Sequence, residues 1–515
     1  MTLIEAPPTV RRPWTALSIL CVTVLIISID NTILNIALPT IVKTLHATSS
    51  ELQWVVDAYV VTFAGLLLTL GSIGDRFGRK WVFLGGLTVF GAGSALAAWS
   101  GTPDRLTIAR VVMGIGGAAL MPSTLSILVN VFPDEDRRRR AIGIWSGAAG
   151  IGVAAGPILG GVLLSRFWWG SVFLINVPIC VIGITATVLL VPNSKSPTGR
   201  KTDPVGAALS MVALGLLLWG IIEGPNLSWS SPTILVSLSV GVVAIGAFVI
   251  WELRNRSPML PIHFFSNRAY TAPISALALV LFALMGMFFL VTQYLQFALG
   301  YSPFQTGIRV GPIAITLLVV APTSVLLAHR FGTKWIVAIG LGLIAVGLIL
   351  LSRTTVATTY LGDLPPLLLL AVGAGLSMAP CTESVMGSVP MAEAGVGSAT
   401  NDTAMQIGGA LGVAALGTAL NARYQNHMLA NLAGQPLPHA VKDVILGSVG
   451  GALQVAQRLP SPYSSELARL SRESFISGMD LSLVLAAVIT VVASIVVLAA
   501  FPRSRKDRSN DNSAP

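Results

Sequence analysis

Charged residues are scarce in this chain of 515 residues, since Asp, Glu, Lys and Arg make up only 10% of it. Soluble globular domains carry about 25%, so the composition excludes a soluble enzyme. Cysteine is rare as well: Cys21, Cys180 and Cys381 lie in apolar segments, without the spacing of disulfides or metal ligands. The sequence has neither a phosphate-binding Gly-Lys-Ser/Thr loop nor a recognisable nucleophile and base pair. We therefore predict no metal site, no bound cofactor and no enzymatic activity.

Apolar residues dominate instead: 54% of the chain is hydrophobic, and its mean hydropathy is +0.78. Runs of about 18 to 25 apolar residues recur, each long enough to cross about 30 Å of hydrocarbon as a helix. We predict an all-α membrane protein with fourteen transmembrane helices. The spans are placed at 14–38, 52–73, 82–100, 106–130, 141–164, 170–191, 204–222, 232–251, 271–298, 305–327, 335–352, 364–387, 398–420 and 480–501.

The basic residues indicate how the chain is oriented. An even number of spans places both termini on one side of the membrane, and most of the 32 Lys and Arg residues fall on that side, including Arg11, Arg12 and the run 137–140. Short loops rich in Lys and Arg stay in the cytoplasm, so we predict cytoplasmic termini and a place in the cell membrane. The apolar run after Arg12 is too long for a signal peptide and is read as the first span. The net charge of +10 belongs to loops and tails, which gives no reason to expect a nucleic-acid partner.

Two internal repeats predict a duplicated architecture. The glycine-rich loop 71–80 returns in degraded form at 329–335, and the tetrapeptide 152–155 returns at 412–415. The first repeat relates span 3 to span 11, and the second relates span 5 to span 13. Spans 7 and 8 have no counterpart, so we expect two pseudo-twofold related halves of six helices with a two-helix insert between them.

The predicted organisation follows from this plan. Residues 1–13 form a cytoplasmic N-terminus, 14–192 the first six-helix bundle, 193–269 the insert with its linkers, 270–501 the second bundle, and 502–515 a cytoplasmic tail. Within the second bundle, 421–479 is too polar and too rich in proline to span a membrane. We interpret it as an extracytoplasmic loop with one or two amphipathic helices, and a disordered insert is the alternative.

Ionisable residues inside a span are expensive and therefore mark candidate sites. Asp30 lies about midway along span 1, where a carboxylate could carry a proton reversibly. Arg110 lies in span 4 and does not lose its proton, so its use would be to modulate a neighbouring carboxylate or to hold two helices together. The alternative for Asp30 is a structural carboxylate locked to Arg110.

Other acids are candidates for binding substrate or protons. Asp57 lies about two turns into span 2, close enough to the outer surface to be solvated. Glu383 is placed midway along span 12, with a buried, hydrogen-bonded acid as its alternative. Asp402 shares a helical face with Gln406 in span 13, although it could instead cap the start of that helix. Arg309, near the outer end of span 10, is expected to extend to the membrane interface.

Glycine, aromatic and amide residues supply the remaining signals. In span 5 small residues and one proline recur at helical spacing, which permits either static close packing or a bend that pivots between two states. These are Gly152, Gly156, Pro157 and Gly160. A broad pocket is predicted to be lined by Asn31, Tyr59, Phe289, Gln293, Tyr294 and Gln406.

Several of these motifs resemble those of one family. The loop 71–80 resembles the signature loop between helices 2 and 3 of the major facilitator superfamily, and Arg110 with Gly114 resembles its helix 4 motif. The segment 147–161 resembles the helix 5 motif typical of its antiporters. With Ile29 to Pro39 and the fourteen spans, the chain is similar to the fourteen-helix drug:proton antiporters over nearly all of residues 14–500.

The resemblance implies roles for the loop residues. A conformational latch is implied for Gly71, Asp75, Arg76, Gly78 and Arg79. In it Asp75 engages the facing half and the start of a neighbouring helix, and stabilises the outward-open state together with Arg76 and Arg79. Arg110 would assist proton transfer, and the motif around Gly156 and Pro157 would favour export over uptake. His329 stands where the first loop has Asp75, so only the N-terminal latch is expected to be complete.

These observations predict proton-driven export of amphipathic, cationic or neutral drug-like compounds by alternating access. The expected partners are small molecules, protons and the lipid bilayer, with the proton gradient as the energy source. The alternative is a dedicated exporter of one endogenous metabolite, antibiotic or lipid-related molecule, because pocket specificity is not written in motifs. A channel is disfavoured, since two similar halves joined by a latch suit a rocking motion.

Overall fold

A computed structural model describes residues 13–191, 193–194, 203–255, 257–260, 262–389, 394–432 and 437–501. Three parts of the prediction lie outside the described residues: the N-terminus up to residue 12, residues 195–202 of the linker before the insert, and the tail 502–515. The helices are α1 (Pro13–Leu45), α2 (Ser49–Phe77), α3 (Arg79–Ala98), α4 (Pro103–Val131), α5 (Glu135–Arg166), α6 (Ser171–Leu174), α7 (Asn176–Leu190), α8 (Pro204–Leu227), α9 (Pro232–Arg254), α10 (Arg268–Gln293), α11 (Pro303–Phe331), α12 (Thr333–Leu351), α13 (Tyr360–Gly387), α14 (Ala394–Asn431), α15 (His439–Gly447), α16 (Val449–Arg458) and α17 (Tyr463–Ala500). A 3-10 turn, Ile262–Ser266, precedes α10, and a π-helical turn, Tyr294–Ala298, ends it.

Within the described residues, fourteen helices are long and apolar enough to cross a membrane. The short α6 and α7 together make one of them, Ser171–Leu190. The predicted all-α class and the fourteen spans are thereby confirmed. Because the number is even, Pro13 and Ala500 lie at the same surface, which we call the terminal face; the opposite surface is the distal face.

The hairpins α2–α3 and α11–α12 are built alike, as the sequence repeat predicts. Each begins with a capping box: Thr48 pairs with Glu51 at α2, and Ser302 pairs with Gln305 at α11. Each turns at a glycine, and these glycines have positive φ angles of 122° at residue 78 and 92° at residue 332. A side chain with a Cβ rarely adopts that backbone conformation, so glycine is required at both turns.

The insert, α8 and α9, separates the two six-helix halves in sequence and packs against both of them in space. Leu218 and Ile222 of α8 form a small apolar cluster with Ala410 and Ala414 of α14. On its other side, α8 places Met211 against Gly65 of α2. The order of the chain is therefore six helices, two and six, with the insert lying over the line where α2 meets α14.

Most of the described residues between 421 and 479 are helical. Helix α14 continues to Asn431 and α17 already begins at Tyr463, so both spanning helices project beyond the membrane boundaries placed on the sequence. Between them lie two helices, α15 and α16, where one or two amphipathic helices are predicted, so residues 437–462 are largely helical. This segment covers the distal face through hydrogen bonds from Ser448 and Gln454 to carbonyls at the end of α1 and the turn after it.

Candidate functional site

A cavity of about 260 Å³ lies between the two halves. Its wall is mostly apolar and includes the methionines Met121, Met285, Met378 and Met405. The polar and charged side chains that reach it are Ser28, Asn31, Thr32, Asn35, Asp57, Arg110, Asp402 and Gln406. A concave apolar space with few convergent polar groups is the usual form of a small-molecule site, and flexible thioether side chains let such a wall adapt to different shapes.

Arg110, which reaches the cavity, forms a buried ion pair with Asp30. The Nη1 of Arg110 lies 2.6 Å from Oδ2 of Asp30, and its Nε donates to the carbonyl of Val55 at 3.1 Å. Asn176 donates to the other carboxylate oxygen of Asp30 at 3.2 Å. Asp30 has no exposed surface and Arg110 is 1% exposed. A buried charge is tolerated only when it is paired and hydrogen-bonded, and both requirements are met here.

Tyr59 supports the guanidinium of Arg110 from α2. The ring centre lies 4.2 Å from the guanidinium carbon, within range of a cation–π interaction. Helix α4 can approach α2 this closely because residue 114 is glycine: a Cβ there would lie 2.7 Å from the carbonyl oxygen of Tyr59. The pairing of Arg110 with Gly114 in the sequence therefore has a steric basis. Tyr59 lies behind the arginine and does not line the cavity, so its predicted place in the pocket wall is wrong.

Asp57 faces the cavity without a hydrogen-bond partner among the described residues. The residue has no exposed surface, and neither carboxylate oxygen finds a donor. The interpretation of Asp57 as a solvated residue near the outer surface is therefore wrong. Burying an ionised carboxylate without a partner costs several kcal/mol. A proton on Asp57 or a cationic ligand in the cavity would remove this cost.

Asp402 and Gln406 reach the same cavity from the opposite half. Helix α14 already begins at Ala394, so Asp402 lies more than two turns inside the helix. The alternative in which Asp402 caps the helix start is therefore wrong. With Asp57 on α2 and Asp402 on α14, each half contributes one carboxylate to the wall.

Glu383 does not belong to this site. It lies four residues before the end of α13, at the terminal face, so its placement midway along a span is wrong. Its Oε1 lies 2.9 Å from Nε2 of His329 on α11, with the two side chains 46% and 66% exposed. His329, which stands at the position corresponding to Asp75, thus contacts another helix of its own half.

The loop between α2 and α3 is also held within its own half. Arg79 bonds to Oδ1 of Asp75 through Nε at 2.8 Å, and its Nη1 donates to the carbonyl of Ser126 on α4 at 3.3 Å. Arg76 lies over the ring of Phe77. Among the described residues, Asp75 makes no hydrogen bond to the facing half. The contact between halves that the family resemblance implies is therefore not made in this conformation.

Small residues of α5 allow it to pack closely on α1. A Cβ at Gly152 would lie 2.6 Å from the carbonyl oxygen of Leu25, and one at Gly160 would lie 2.8 Å from a side-chain carbon of Ile33. A Cβ at Gly156 would overlap the hydroxyl of Thr32. Pro157, next to it, lines the cavity. The motif therefore joins α5 closely to the helix that carries Asp30.

Three of the residues proposed for the pocket lie on another face of α10 or in its π-helical turn. Gln293 donates to the carbonyl of Phe289 at 3.0 Å, and the hydroxyl of Tyr294 donates to Asp363 at 3.1 Å. The residues of α10 that reach the cavity are Leu281, Leu284, Met285 and Phe288. These positions repeat every three to four residues, so one helical face lines the cavity, and Phe289, Gln293 and Tyr294 are rotated away from it.

Sequence reasoning missed several polar residues that join helices within each half. Asn176 and Ser94 complete the network around Asp30, and Asp363 anchors Tyr294 and Thr354. The signal that could have found them is a polar side chain within or beside an apolar run, as for Asn176, Ser94 and Asp363. These groups show that much of the polar structure in the membrane serves packing.

Hydrogen bonds join the two halves between the cavity and the distal face. Gln53 of α2 donates to the carbonyls of Val413 and Ala414 on α14, at 3.3 and 3.0 Å. Gln296, in the π-helical turn, donates to the carbonyl of Ile36 on α1 at 3.0 Å. We call these contacts the distal gate. Near the terminal face, the Asp75–Arg79 and His329–Glu383 pairs each lie within a single half.

Comparison with known proteins agrees with this arrangement. The profile described as Major Facilitator Superfamily matches residues 20–413. The multidrug efflux pump LfrA of Mycolicibacterium smegmatis is 35% identical, over 98% of this chain and 100% of its own length. The tetracenomycin C resistance and export protein of Streptomyces glaucescens is 33% identical, over 95% and 91%. The methyl viologen resistance protein SmvA of Salmonella typhimurium is 30% identical, over 92% and 95%.

Among solved structures, a bacterial homologue of the human lysosomal transporter Spinster, in an inward-facing and unoccupied conformation, is similar. Its TM-score is 0.67 at 16% identity, covering 96% of this chain and 99% of the other. At that identity the likeness concerns the fold alone. A transporter fold is thereby found both by sequence and by structure.

Proposed function

We propose, because the chain belongs to the major facilitator superfamily, that it is a proton-coupled antiporter that exports amphipathic drug-like compounds. This superfamily consists of transporters and not of enzymes, and the proposal starts from that membership. The observation that carries the proposal is Asp57, a carboxylate with no hydrogen-bond partner among the described residues, in an apolar cavity that Arg110 of the buried Arg110–Asp30 pair also lines. A proton and a cationic compound can both neutralise Asp57, but not at the same time.

The ion pair supplies a mechanism for this competition. While Asp30 is ionised, it neutralises Arg110, and the cavity can accept a cation at Asp57. When a proton binds to Asp30, the charge of Arg110 is no longer balanced, and a cation in the cavity is repelled through a medium of low dielectric. Proton binding from outside would therefore expel the compound, and loss of the proton to the cytoplasm would restore the site.

The orientation belongs to the same proposal. Arg79, Lys80, Arg330 and Lys334 lie at the helix ends beside the short turns of the terminal face, which supports a cytoplasmic terminal face in the plasma membrane. With the distal gate closed, the conformation described here would then be the inward-open one. Compounds would enter from the cytoplasm or its leaflet and leave through the distal gate.

Transport by inside-out vesicles tests the proposal. Vesicles energised with a proton gradient should accumulate a fluorescent organic cation, and adding the cation should dissipate the gradient. Purified protein should release protons when the same cation binds. Uptake that persists when the gradient is collapsed, with no proton release for any cation tested, would contradict proton antiport.

A dedicated exporter remains the second candidate, because one relative is named for resistance to and export of a single compound, tetracenomycin C. A panel of chemically unrelated toxic compounds separates the two candidates. Protection of cells against several classes supports multidrug export. Protection against one compound alone supports the dedicated exporter.

The loop between α2 and α3 yields a prediction about rate. We expect Asp75→Asn to slow transport about tenfold, equivalent to a bias of about 1.4 kcal/mol between conformations, with substrate affinity and thermal stability nearly unchanged. The pair with Arg79 is partly exposed, so its loss costs the fold little. Initial transport rates, equilibrium binding and Tm measure the three quantities.

Glu383→Gln is the matched control, because it breaks the corresponding contact of the other half, with His329. A one-sided latch requires Asp75→Asn to be much the slower variant. Equal rates in the two variants would mean that the N-terminal loop has no special role.

A further inference from the structure

The two-helix insert has no counterpart in either half, yet its first helix lies over the seam between α2 and α14. Met211, near the terminal face, fills the space above Gly65 of α2. Farther along, Leu218 and Ile222 pack on Ala410 and Ala414 of α14. Helix α8 thus touches both halves along the line where they must separate if the distal face is to open.

A proline creates an unusual bond in this seam. Pro225 lies inside α8 and has no N–H, so the carbonyl of Ile221, four residues earlier, lacks its normal helical donor. The hydroxyl of Thr418 on α14 donates to that carbonyl at 3.1 Å. A side chain of the second half therefore replaces a backbone bond that the sequence of the insert removes.

Thr418 also lies at the distal gate. The amide nitrogen of Gln53, which bonds to the carbonyls of α14, is 3.5 Å from the hydroxyl oxygen of Thr418. Gln53 has no exposed surface and Thr418 is 5% exposed, so water cannot readily replace these bonds. α2, α8 and α14 thus meet at one buried hydroxyl, which we call the Thr418 junction, formed by Gln53, Ile221, Pro225 and Thr418.

A second connection lies nearer to the distal surface. Asn226 of α8 donates to the hydroxyl of Ser50 on α2 at 2.7 Å, and Gln425 of α14 donates to its carbonyl oxygen at 3.2 Å. The side-chain amide of Asn226 therefore bonds to both halves, donating through Nδ2 to α2 and accepting through Oδ1 from α14. These contacts can all exist only while α2 and α14 are close together.

We propose that α8 is a brace of the distal gate: the bond from Thr418 to Ile221 fixes α8 to α14, and Asn226 extends the connection to Ser50 of α2. The insert thereby stabilises the closed distal face and sets how often it opens. Thr418 acts as a positioning residue, without touching the compound. The inference rests on the alternating access proposed above, since it assigns a role to the insert within that motion.

A reporter cysteine measures the opening. Leu284→Cys places a thiol on the cavity wall, in a chain whose native Cys21, Cys180 and Cys381 are replaced by alanine. A membrane-impermeant maleimide applied to intact cells reaches this thiol only through an open distal gate. The labelling rate of each variant is compared with that of the reporter protein alone, and Gln53→Ala serves as a positive control for a weakened gate.

Three variants form a cycle around the shared bond. Thr418→Val and Pro225→Ala should each raise the labelling rate severalfold, the first by removing the donor and the second by giving Ile221 a backbone N–H at residue 225. The double variant should label no faster than the faster single variant, because both changes weaken the same contact: the first removes its donor, and the second adds an N–H that competes for the carbonyl. Tm should fall for Thr418→Val and recover in the double variant, where the carbonyl of Ile221 is satisfied again.

Thr490→Val is the matched control, since this buried hydroxyl of α17 bonds to its own helix at Ala486; its labelling should equal that of the reporter protein. Unchanged labelling in Thr418→Val and Pro225→Ala, with faster labelling in Gln53→Ala, would overturn the proposed role of α8 as a brace but would still support the distal gate. Additive increases in the double variant would also overturn it. No labelling in any variant, including Gln53→Ala, would instead contradict alternating access through this gate.

Discussion

Asp30→Asn is expected to abolish export driven by a proton gradient and to lower the number of protons released when an organic cation binds. The substituted side chain cannot exchange a proton, and it leaves Arg110 without its counter-charge at 2.6 Å. The cavity then resembles the protonated state permanently, so cation affinity should be low and should lose most of its rise with increasing pH. Proton release in weakly buffered solution and binding at several pH values measure these effects.

The same substitution also threatens the fold, because breaking one side of a buried ion pair costs about 3 to 5 kcal/mol. The double variant Asp30→Asn/Arg110→Gln removes both charges and should recover much of the lost Tm without recovering gradient-driven export. Glu383→Gln, which changes an exposed acid outside the cavity, should release as many protons as the unmodified protein. If Asp30→Asn itself released that many, Asp30 would not be the coupling residue.

Much of the architecture could be predicted because membrane helices depend on local properties. Length and apolarity decide which segments cross the bilayer, and the described chain has the predicted fourteen spans. Helix ends were less predictable. Polar residues such as those of 463–479 signal the end of hydrocarbon but do not end a helix, so α17 begins at Tyr463 rather than at 480.

The approach of Asp30 to Arg110 could be anticipated, whereas the wall of the cavity could not. Two opposite charges within apolar spans have few ways to avoid the cost of burial other than pairing, and the structure pairs them. Which side of α10 faces the cavity depends on how the helix is rotated by its neighbours. Phe288 lines the cavity but Phe289 does not. Composition does not predict the rotation of a helix about its axis to within one residue.

Hydrogen bonds to backbone carbonyls were the least predictable feature. Gln53 bonds to Val413 and Ala414 through contacts that involve no side-chain chemistry on α14. The sequence contains no pattern that pairs an amide with a distant carbonyl. Pro225 is an exception in principle, because a proline within a helix always frees the carbonyl four residues before it, but the donor can be identified only in the folded chain.

Asp57→Asn is expected to separate cationic from neutral compounds. Two unit charges about 4 Å apart interact by about 4 kcal/mol at an effective dielectric constant near 20, and 1.4 kcal/mol corresponds to a tenfold change in affinity. We therefore expect binding of a monovalent organic cation to weaken at least about tenfold, and binding of a neutral compound of similar shape to change less than about threefold. Asp57 accepts no hydrogen bond in the described structure, so its amide replacement breaks no internal contact and should leave Tm nearly unchanged.

Two further variants place this effect on Asp57. Asp402→Asn tests the carboxylate on the opposite wall, and it should matter most for compounds that carry two separated charges. Asp443→Asn changes an exposed acid of α15, outside the cavity, and should alter neither affinity. Equal loss of cationic and neutral binding in Asp57→Asn would indicate that the carboxylate shapes the wall rather than recognising charge. A loss confined to cations would instead show that the Asp57 carboxylate recognises the positive charge of the compound.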